Sequence, residues 1–222
     1  MAKLIWDKTG EHFYETGVSH GVLYPMSDVP GTYGKGVAWN GLTTVTESPS
    51  GAEVSSIYAD NMKYLSLMSV EEFEGTIEAY TYPDEFKACD GSVELEEGIT
   101  IGQQKRKVFA FSYQTKIGND VNPEAGYKIH IIYGALAKPS ERSYETINDS
   151  PDAITFSWEI STTPVEVTGY KPTAHLEIDS TKVAPDKLAK IEAVLYGSEV
   201  ENTAGEPKLL MPDEIVAMLK AA

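Results

Sequence analysis

The residues best equipped for chemistry here are a serine between two glycines, four histidines, a single cysteine and a surplus of carboxylates. Gly17-Val-Ser-His-Gly21 has the Gly-x-Ser-x-Gly form of a hydrolase nucleophile elbow. An elbow works only on a sharp strand-to-helix turn, and Val22-Leu-Tyr-Pro25 continues in extended fashion, so the segment reads as a hairpin turn. His12, His20, His130 and His175 show no ligand spacing such as H-x-x-x-H. His130 and His175 fall on the polar phase of their strands, beside Lys128 and Glu177, and read as outward surface residues. Asp120, Asn122 and Glu124 alternate like calcium ligands, but Ala125 stands where an EF-hand loop needs glycine, which leaves a polar turn. Carboxylates cluster at Glu71/Glu72, Asp84/Glu85, Glu94/Glu96/Glu97 and Asp149/Asp152, too many for one acid/base pair to stand out. Cys89, between Lys87 and Asp90, reads as a small hydrophobe. Gly34-Lys-Gly36 lacks the upstream spacing and the Ser/Thr of a phosphate loop. Asn148-Asp-Ser150 is a glycosylation sequon, but Pro151 follows it. The aromatics Phe109, Phe111, Tyr113, Phe156 and Trp158 could stack on sugars, yet alternating aromatics in strands belong more naturally to a core. The expectation is therefore no catalytic residue, no cofactor and no metal ligand.

The elements that would position these groups are mostly strands. Period-2 alternation dominates from about residue 42 to residue 180. In Lys107–Ile117, Phe109, Phe111, Tyr113 and Ile117 share one face, opposite Ala110, Ser112, Gln114 and Lys116. In Thr155–Thr162, Phe156, Trp158 and Ile160 oppose Thr155, Ser157, Glu159 and Ser161. Tyr127–Tyr133 and Ala174–Ile178 read similarly, and Leu42–Glu47, Val54–Tyr58, Met62–Leu67 and Gly75–Tyr82 do so less regularly. One wet and one dry face per strand imply mainly antiparallel sheet, packed as a sandwich or rolled toward a barrel. A flanking helix is expected from Pro185, with Leu188, Ile191 and Leu195 at helical spacing and Gly197 as its stop. A short C-terminal helix should start near Pro212-Asp-Glu214, carrying Ile215, Met218 and Leu219 as its stripe. Shorter helical turns are expected after Pro83 and after Ser69, where Ser69 and Glu72 have capping-box spacing. Residues 119–126 should form a hairpin loop, while 24–41 and 138–152 look like long surface excursions.

Composition narrows the function. The 222 residues carry 34 Asp+Glu against 18 Lys+Arg, a formal charge of −16, which excludes gripping nucleic acid or anionic lipid by phosphate neutralisation. One cysteine excludes an intramolecular disulfide framework. No apolar run approaches the ~20 residues needed to span a bilayer. The start, Met1-Ala-Lys-Leu-Ile-Trp6-Asp7, turns polar too early for a secretory signal.

Tyr33-Gly-Lys-Gly-Val-Ala-Trp-Asn-Gly-Leu42, Glu47-Ser-Pro-Ser-Gly-Ala-Glu53, Tyr58-Ala-Asp-Asn-Met-Lys-Tyr-Leu65, Glu78-Ala-Tyr-Thr-Tyr-Pro-Asp-Glu-Phe86 and Thr155-Phe-Ser-Trp-Glu-Ile-Ser-Thr-Thr-Pro164 resemble the major tail proteins of bacteriophages with long non-contractile tails. The similarity runs from about Trp6 to Tyr196 and has no short diagnostic motif. It implies a tail-tube β-sandwich domain over residues 1–198, and a linker with a C-terminal helical arm over 199–222. It further implies hexameric rings stacked into a virion tail tube, assembled in the host cytoplasm and without a membrane. The implied partners are further copies of the chain, tape measure, tail terminator and distal tail proteins, and double-stranded DNA that passes through without tight binding. Assembly contacts are expected from Arg142, Tyr144 and Ile147 in the long connection. Ile215, Met218 and Leu219 in the C-terminal segment are the other candidates, with packing on the chain's own core as the alternative for that segment. A different class, a virion-associated carbohydrate- or host-binding β-sandwich module, fits the same aromatics and loops.

Overall fold

The computed structural model describes residues 4–147, 149, 152–198 and 205–220. In chain order its strands begin with β1 (Tyr14–Pro25), β2 (Val37–Trp39), β3 (Leu42–Glu47), β4 (Ser50–Gly51), β5 (Val54–Ala59), β6 (Met62–Met68), β7 (Glu71–Glu72) and β8 (Glu74–Ala79). A 3-10 turn (Asp84–Phe86) leads into α1 (Lys87–Asp90), as the proline at 83 suggested. Then come β9 (Val93–Glu96), β10 (Ile99–Ile101), β11 (Phe109–Gly118), β12 (Gly126–Ala137), β13 (Phe156–Thr162), β14 (His175–Asp179), α2 (Pro185–Leu195) and α3 (Pro212–Lys220). The mainly-β, antiparallel expectation holds. The helical turn expected after Ser69 does not form, because β4 and β7 pair there and the Ser69 hydroxyl accepts from Glu53 N–H across the ladder.

Eight strands make one sheet, in the order β2-β1-β11-β12-β13-β8-β3, with β14 also paired to β12. Of the sandwich and the roll, the sheet takes the rolled form without closing into a barrel. One edge of β12 is paired with β11 from Gly126 to Ala135, while its other edge is divided: Lys128–Ile132 binds β14 and Ala135–Ala137 binds β13. Gly134 occupies the changeover at φ +60, where a Cβ would sit 2.3 Å from the Thr163 carbonyl oxygen. Only glycine fits so close a backbone approach.

The Gly-x-Ser-x-Gly segment is neither an elbow nor a hairpin turn. It lies within β1, whose register against β11 slips twice, between Thr16 and Ser19 and between Ser19 and Val22. Gly17 and His20 have φ of +71 and +53, the left-handed geometry that lets a strand carry bulges. The bulges bend β1 around the sheet, and among the described residues Ser19 Oγ hydrogen-bonds only with its neighbour His20 Nδ1, at 3.0 Å.

Two cores lie on the two faces of this sheet. Inside the curl, Leu23, Trp39, Ile77, Phe86, Phe109, Phe111, Ile132, Trp158 and Ile160 form a cluster drawn from strands all around the sheet. Trp39 packs on Phe86, Phe111 and Trp158 with centroids 4.5, 5.4 and 5.5 Å apart. Its indole N–H donates to Thr81 O at 2.9 Å. On the outer face, Val22, Tyr24, Ala110, Ile129, Ile131, Tyr133 and Ile178 are covered by Leu188, Ile191 and Leu195 of α2 and by Leu209, Leu210 and Ile215. Tyr24 donates its buried hydroxyl to Leu195 O at 2.8 Å, and Tyr133 donates to Leu210 O at 2.9 Å. The expectation of a wet second face therefore fails for β11 and β12, which are buried on both sides along most of their length.

The C-terminal segment packs on the chain's own core: Leu209, Leu210 and Ile215 are buried, and Met218 and Leu219 are half-buried against the same cluster. Truncation after Ser198 should therefore lower the urea midpoint sharply. Each of those three buried side chains contributes about 1.5–3 kcal/mol, and an unchanged midpoint would place the segment outside the folded core.

Candidate functional site

Two features stand apart from the packed sheet: a long apolar arm, and a histidine cluster at its root. The arm grows from the β3–β8 pair at one edge. The chain continues from β3 through β4 and β5, turns at Asp60-Asn61, and returns through β6 and β7 into β8. Asp60 and Asn61 have φ of +50 and +62, the geometry of a two-residue type I′ turn, which short polar side chains tolerate best. Twelve residues, Ser48 to Ala59, at about 3.3 Å each give the arm a reach of roughly 40 Å.

Beyond its root the arm is covered by nothing else among the described residues. Tyr58, Met62, Tyr64 and Met68 are each 65–70% exposed, and Val54, Ile57, Leu65 and Leu67 are exposed as well. The apolar residues occupy both faces: Val54, Tyr58 and Met68 share one, and Ile57, Leu65 and Leu67 the other, with the ladder slipping by one residue at Tyr64. Residues 54–68 carry only Asp60 and Lys63 as charges, so the outer part of the arm is neutral on a chain of −16, while Glu53, Glu71 and Glu72 lie nearer its root. An isolated two-stranded hairpin is marginal in water, and an exposed apolar surface of this extent marks an interaction site. Sequence reasoning had Val54–Tyr58 and Met62–Leu67 as sheet strands. The signal it passed over was their irregular alternation, which records two apolar faces with no core side.

At the root, Glu47 closes β3 and meets residues from three other strands. Tyr113 of β11 donates its hydroxyl to Glu47 Oε1 at 2.5 Å. His130 Nδ1 of β12 and His175 Nε2 of β14 stand 3.5 and 3.2 Å from the same oxygen. The two ring nitrogens are 3.3 Å apart, and His130 Nε2 contacts Thr115 Oγ1 at 3.0 Å. Tyr113 stacks on His130 at 4.7 Å, and Phe73 stacks on His175 at 5.0 Å. Hydrogen bonds from His130 and then His175 hold the Glu47 carboxyl well below the usual carboxylate range. Burial, followed by the Glu47 hydrogen bond, pushes the Tyr113 phenol up.

The reading of both histidines as outward surface residues is corrected: His130 is 6% exposed and His175 is half-buried. Lys128, His130 and Ile132 do share the polar phase of β12, but that phase faces the interior of the curl, and Ile129, Ile131 and Tyr133 face the helices. The interior thus grades from aromatic to polar. Past the histidines, Lys128 pairs with Glu15 and Glu177.

The residues expected to make assembly contacts are placed unevenly. Arg142 folds back on its own chain, paired with Asp90 and lying over the Tyr82 and Phe156 rings at 5.7 and 5.5 Å. Tyr144 and Ile147 are exposed, at 71% and 84%. Ile215 is buried by α2 and the outer core, with Met218 and Leu219 beside it. Asn148, Ser150 and Pro151 of the long connection lie outside the described residues. The aromatics weighed as a sugar platform are core residues: Phe109, Phe111, Tyr113 and Trp158 are buried, and Phe156 packs against them.

No protein-family model matches the chain, and no curated protein matches it. Among solved structures the chain is similar to a chain of the anti-feeding prophage baseplate, with a TM-score of 0.37 and 10% identity over 79% of this chain and 97% of that one. It is also similar to a chain of the sheath–tube complex of an extracellular contractile injection system in its extended state, with a TM-score of 0.32 and 11% identity over 72% of this chain and 89% of that one.

Replacing Glu47 with Ala should leave the Tyr113 hydroxyl and the His130 ring without their shared acceptor. With a chelator present, the expected loss is about 1–3 kcal/mol for each polar group left unsatisfied, read from urea unfolding. A stability within about 0.5 kcal/mol of the parent would show that the network contributes nothing.

Proposed function

We propose that this chain is a structural subunit that polymerises into a phage-tail-type tube, with the β3–β8 arm laid on a neighbouring copy. The observation that carries this reading is the outer arm, residues 54–68: neutral, apolar on both faces and uncovered by the other described residues. Head-to-tail contacts of this kind generate closed rings when the rotation closes and open stacks when it does not. The sequence resemblance to major tail proteins supports the same arrangement, with hexameric rings and, as partners, the tape measure, terminator and distal tail proteins. The role is architectural, with no catalytic step and a virion location.

Charge supports the conduit. Six copies at −16 each bring 96 formal negative charges to a ring. A wall of this sign repels phosphate, so duplex DNA would slide rather than adhere. Between chains the like charges oppose association, and the outer arm, neutral from residue 54 to 68, is the surface on which that opposition is smallest. The carbohydrate-binding alternative loses its main feature, because the aromatics that would stack on sugars are committed to the core.

Concentrated tag-free protein should form rings or tubes in negative-stain microscopy. Replacing Tyr58 and Leu67 with Asp, one on each arm face, should abolish them while the unfolding midpoint holds, since exposed substitutions shift stability by about 0.5 kcal/mol or less. A parent protein that stays monomeric in light scattering across concentration and salt would overturn the reading. Neither monomer nor assembly should shift duplex DNA at moderate salt, and a clear mobility shift would sink the sliding-conduit argument.

A further inference from the structure

We infer that Glu47, His130 and His175 form a binding site for one transition-metal dication, zinc by geometry, which fastens the root of the arm to the sheet. His130 Nδ1, His175 Nε2 and Glu47 Oε1 make a triangle with edges of 3.3, 3.5 and 3.2 Å. A tetrahedral zinc with bonds of about 2.0–2.1 Å requires donor–donor edges of about 3.3–3.4 Å. The three side chains come from three strands, β3, β12 and β14, and bring one ligand atom each within 4.8 Å of the others.

The protons argue for a cation. The two ring nitrogens share a hydrogen bond at 3.3 Å while standing 3.5 and 3.2 Å from the Glu47 oxygen. One ring therefore accepts from the other, and its contact to the carboxylate carries no proton. A dication satisfies both nitrogen lone pairs and the carboxylate together. The outer groups suit ligation as well. With Nδ1 on the metal, His130 carries its proton on Nε2 and donates it to Thr115 Oγ1 at 3.0 Å. Such a bond fixes the tautomer and the ring, as partners of metal-bound histidines do. Tyr113 donates to the ligating carboxylate oxygen, and Phe73 packs flat on His175. Lys128, two residues from His130, is already paired with Glu15 and Glu177, so its charge there is offset.

Two imidazoles and one carboxylate select zinc, cobalt or nickel over magnesium and calcium, which prefer all-oxygen shells. The site would be structural in effect: it ties the last residue of β3, where the arm departs, to the centre of the sheet. It stands on this geometry whether or not the chain assembles.

The test uses tag-free full-length protein, stripped with chelator and dialysed against micromolar zinc. Atomic emission should find one zinc per chain, retained in excess magnesium, and zinc should raise the thermal midpoint. Cobalt substituted at the site should give the intense visible bands of tetrahedral coordination. His175→Ala should weaken zinc binding at least tenfold, while His12→Ala, outside the cluster, leaves it unchanged. Should His175→Ala fail to fold, Glu47→Gln keeps a hydrogen-bond acceptor but loses the anionic ligand, and it too should lose the zinc. Parent protein that retains no zinc and gives no tetrahedral cobalt spectrum overturns the assignment, as does undiminished binding in a folded variant of the cluster.

Discussion

The constraint on which this structure depends is a connection of two residues. Strands β2 and β3 lie at opposite ends of the seven-strand path, yet only Asn40 and Gly41 separate them in the chain. A flat sheet of that width would hold its edges far apart, since neighbouring strands are about 4.8 Å from each other. Two residues cannot bridge such a gap, so the sheet has to curl until its edges approach. The bulges of β1 and the divided edge of β12 are the devices that let it do so. Once curled, the sheet has an inside, and the aromatic cluster around Trp39 and Trp158 fills it.

The same closure sets the chemistry. Glu47 sits on an edge strand and His130 on a central one, three places apart in the order of the sheet. They meet only because the curl carries β3 across to face β11 and β12. Tyr113 belongs both to the aromatic core and to the polar group, so the core ends where the histidines begin. The arm leaves the sheet at that point, with Glu47 on one of its strands and Phe73 just after the other. Interior packing, the ionisable cluster and the projecting surface are thus mechanically connected through a few residues of β3.

Much of the fold is legible in the sequence because strand alternation and helix punctuation are local. Pro185, Leu188, Ile191, Leu195 and Gly197 mark α2 closely, and Phe156, Trp158 and Ile160 point into the core as their alternation implies. What the sequence withholds is which face of a strand is wet. Alternation in β12 separates Lys128 and His130 from Ile129 and Ile131 correctly, but it does not say that both sets are covered, one by helices and one by the curl. The histidine cluster is illegible for a related reason. Its members lie at positions 47, 130 and 175, and no short-range spacing exists to be read. The arm hides differently: its residues have good strand propensity, and nothing local distinguishes a strand inside a sheet from one that projects beyond it.

Ordering a residue costs about 1–2 kcal/mol, and covering a large apolar side chain returns about 1.5–3 kcal/mol. A segment that is to be ordered by contact therefore needs roughly one large apolar residue in two. Between Val54 and Met68, Val54, Ile57, Tyr58, Met62, Tyr64, Leu65, Leu67 and Met68 meet that proportion, and they are spread over both faces. A hairpin composed for burial on one side would concentrate them on one face, as a strand at the edge of a core does. Two apolar faces call for cover on both sides, which a groove between two neighbouring subunits supplies and a single flat surface does not. The acidic surface elsewhere then acts as a selector. In the proposed assembly, contacts between charged regions are repelled, while the outer arm, neutral from residue 54 to 68, is left to dock, so the direction of assembly would follow from where the charge is missing.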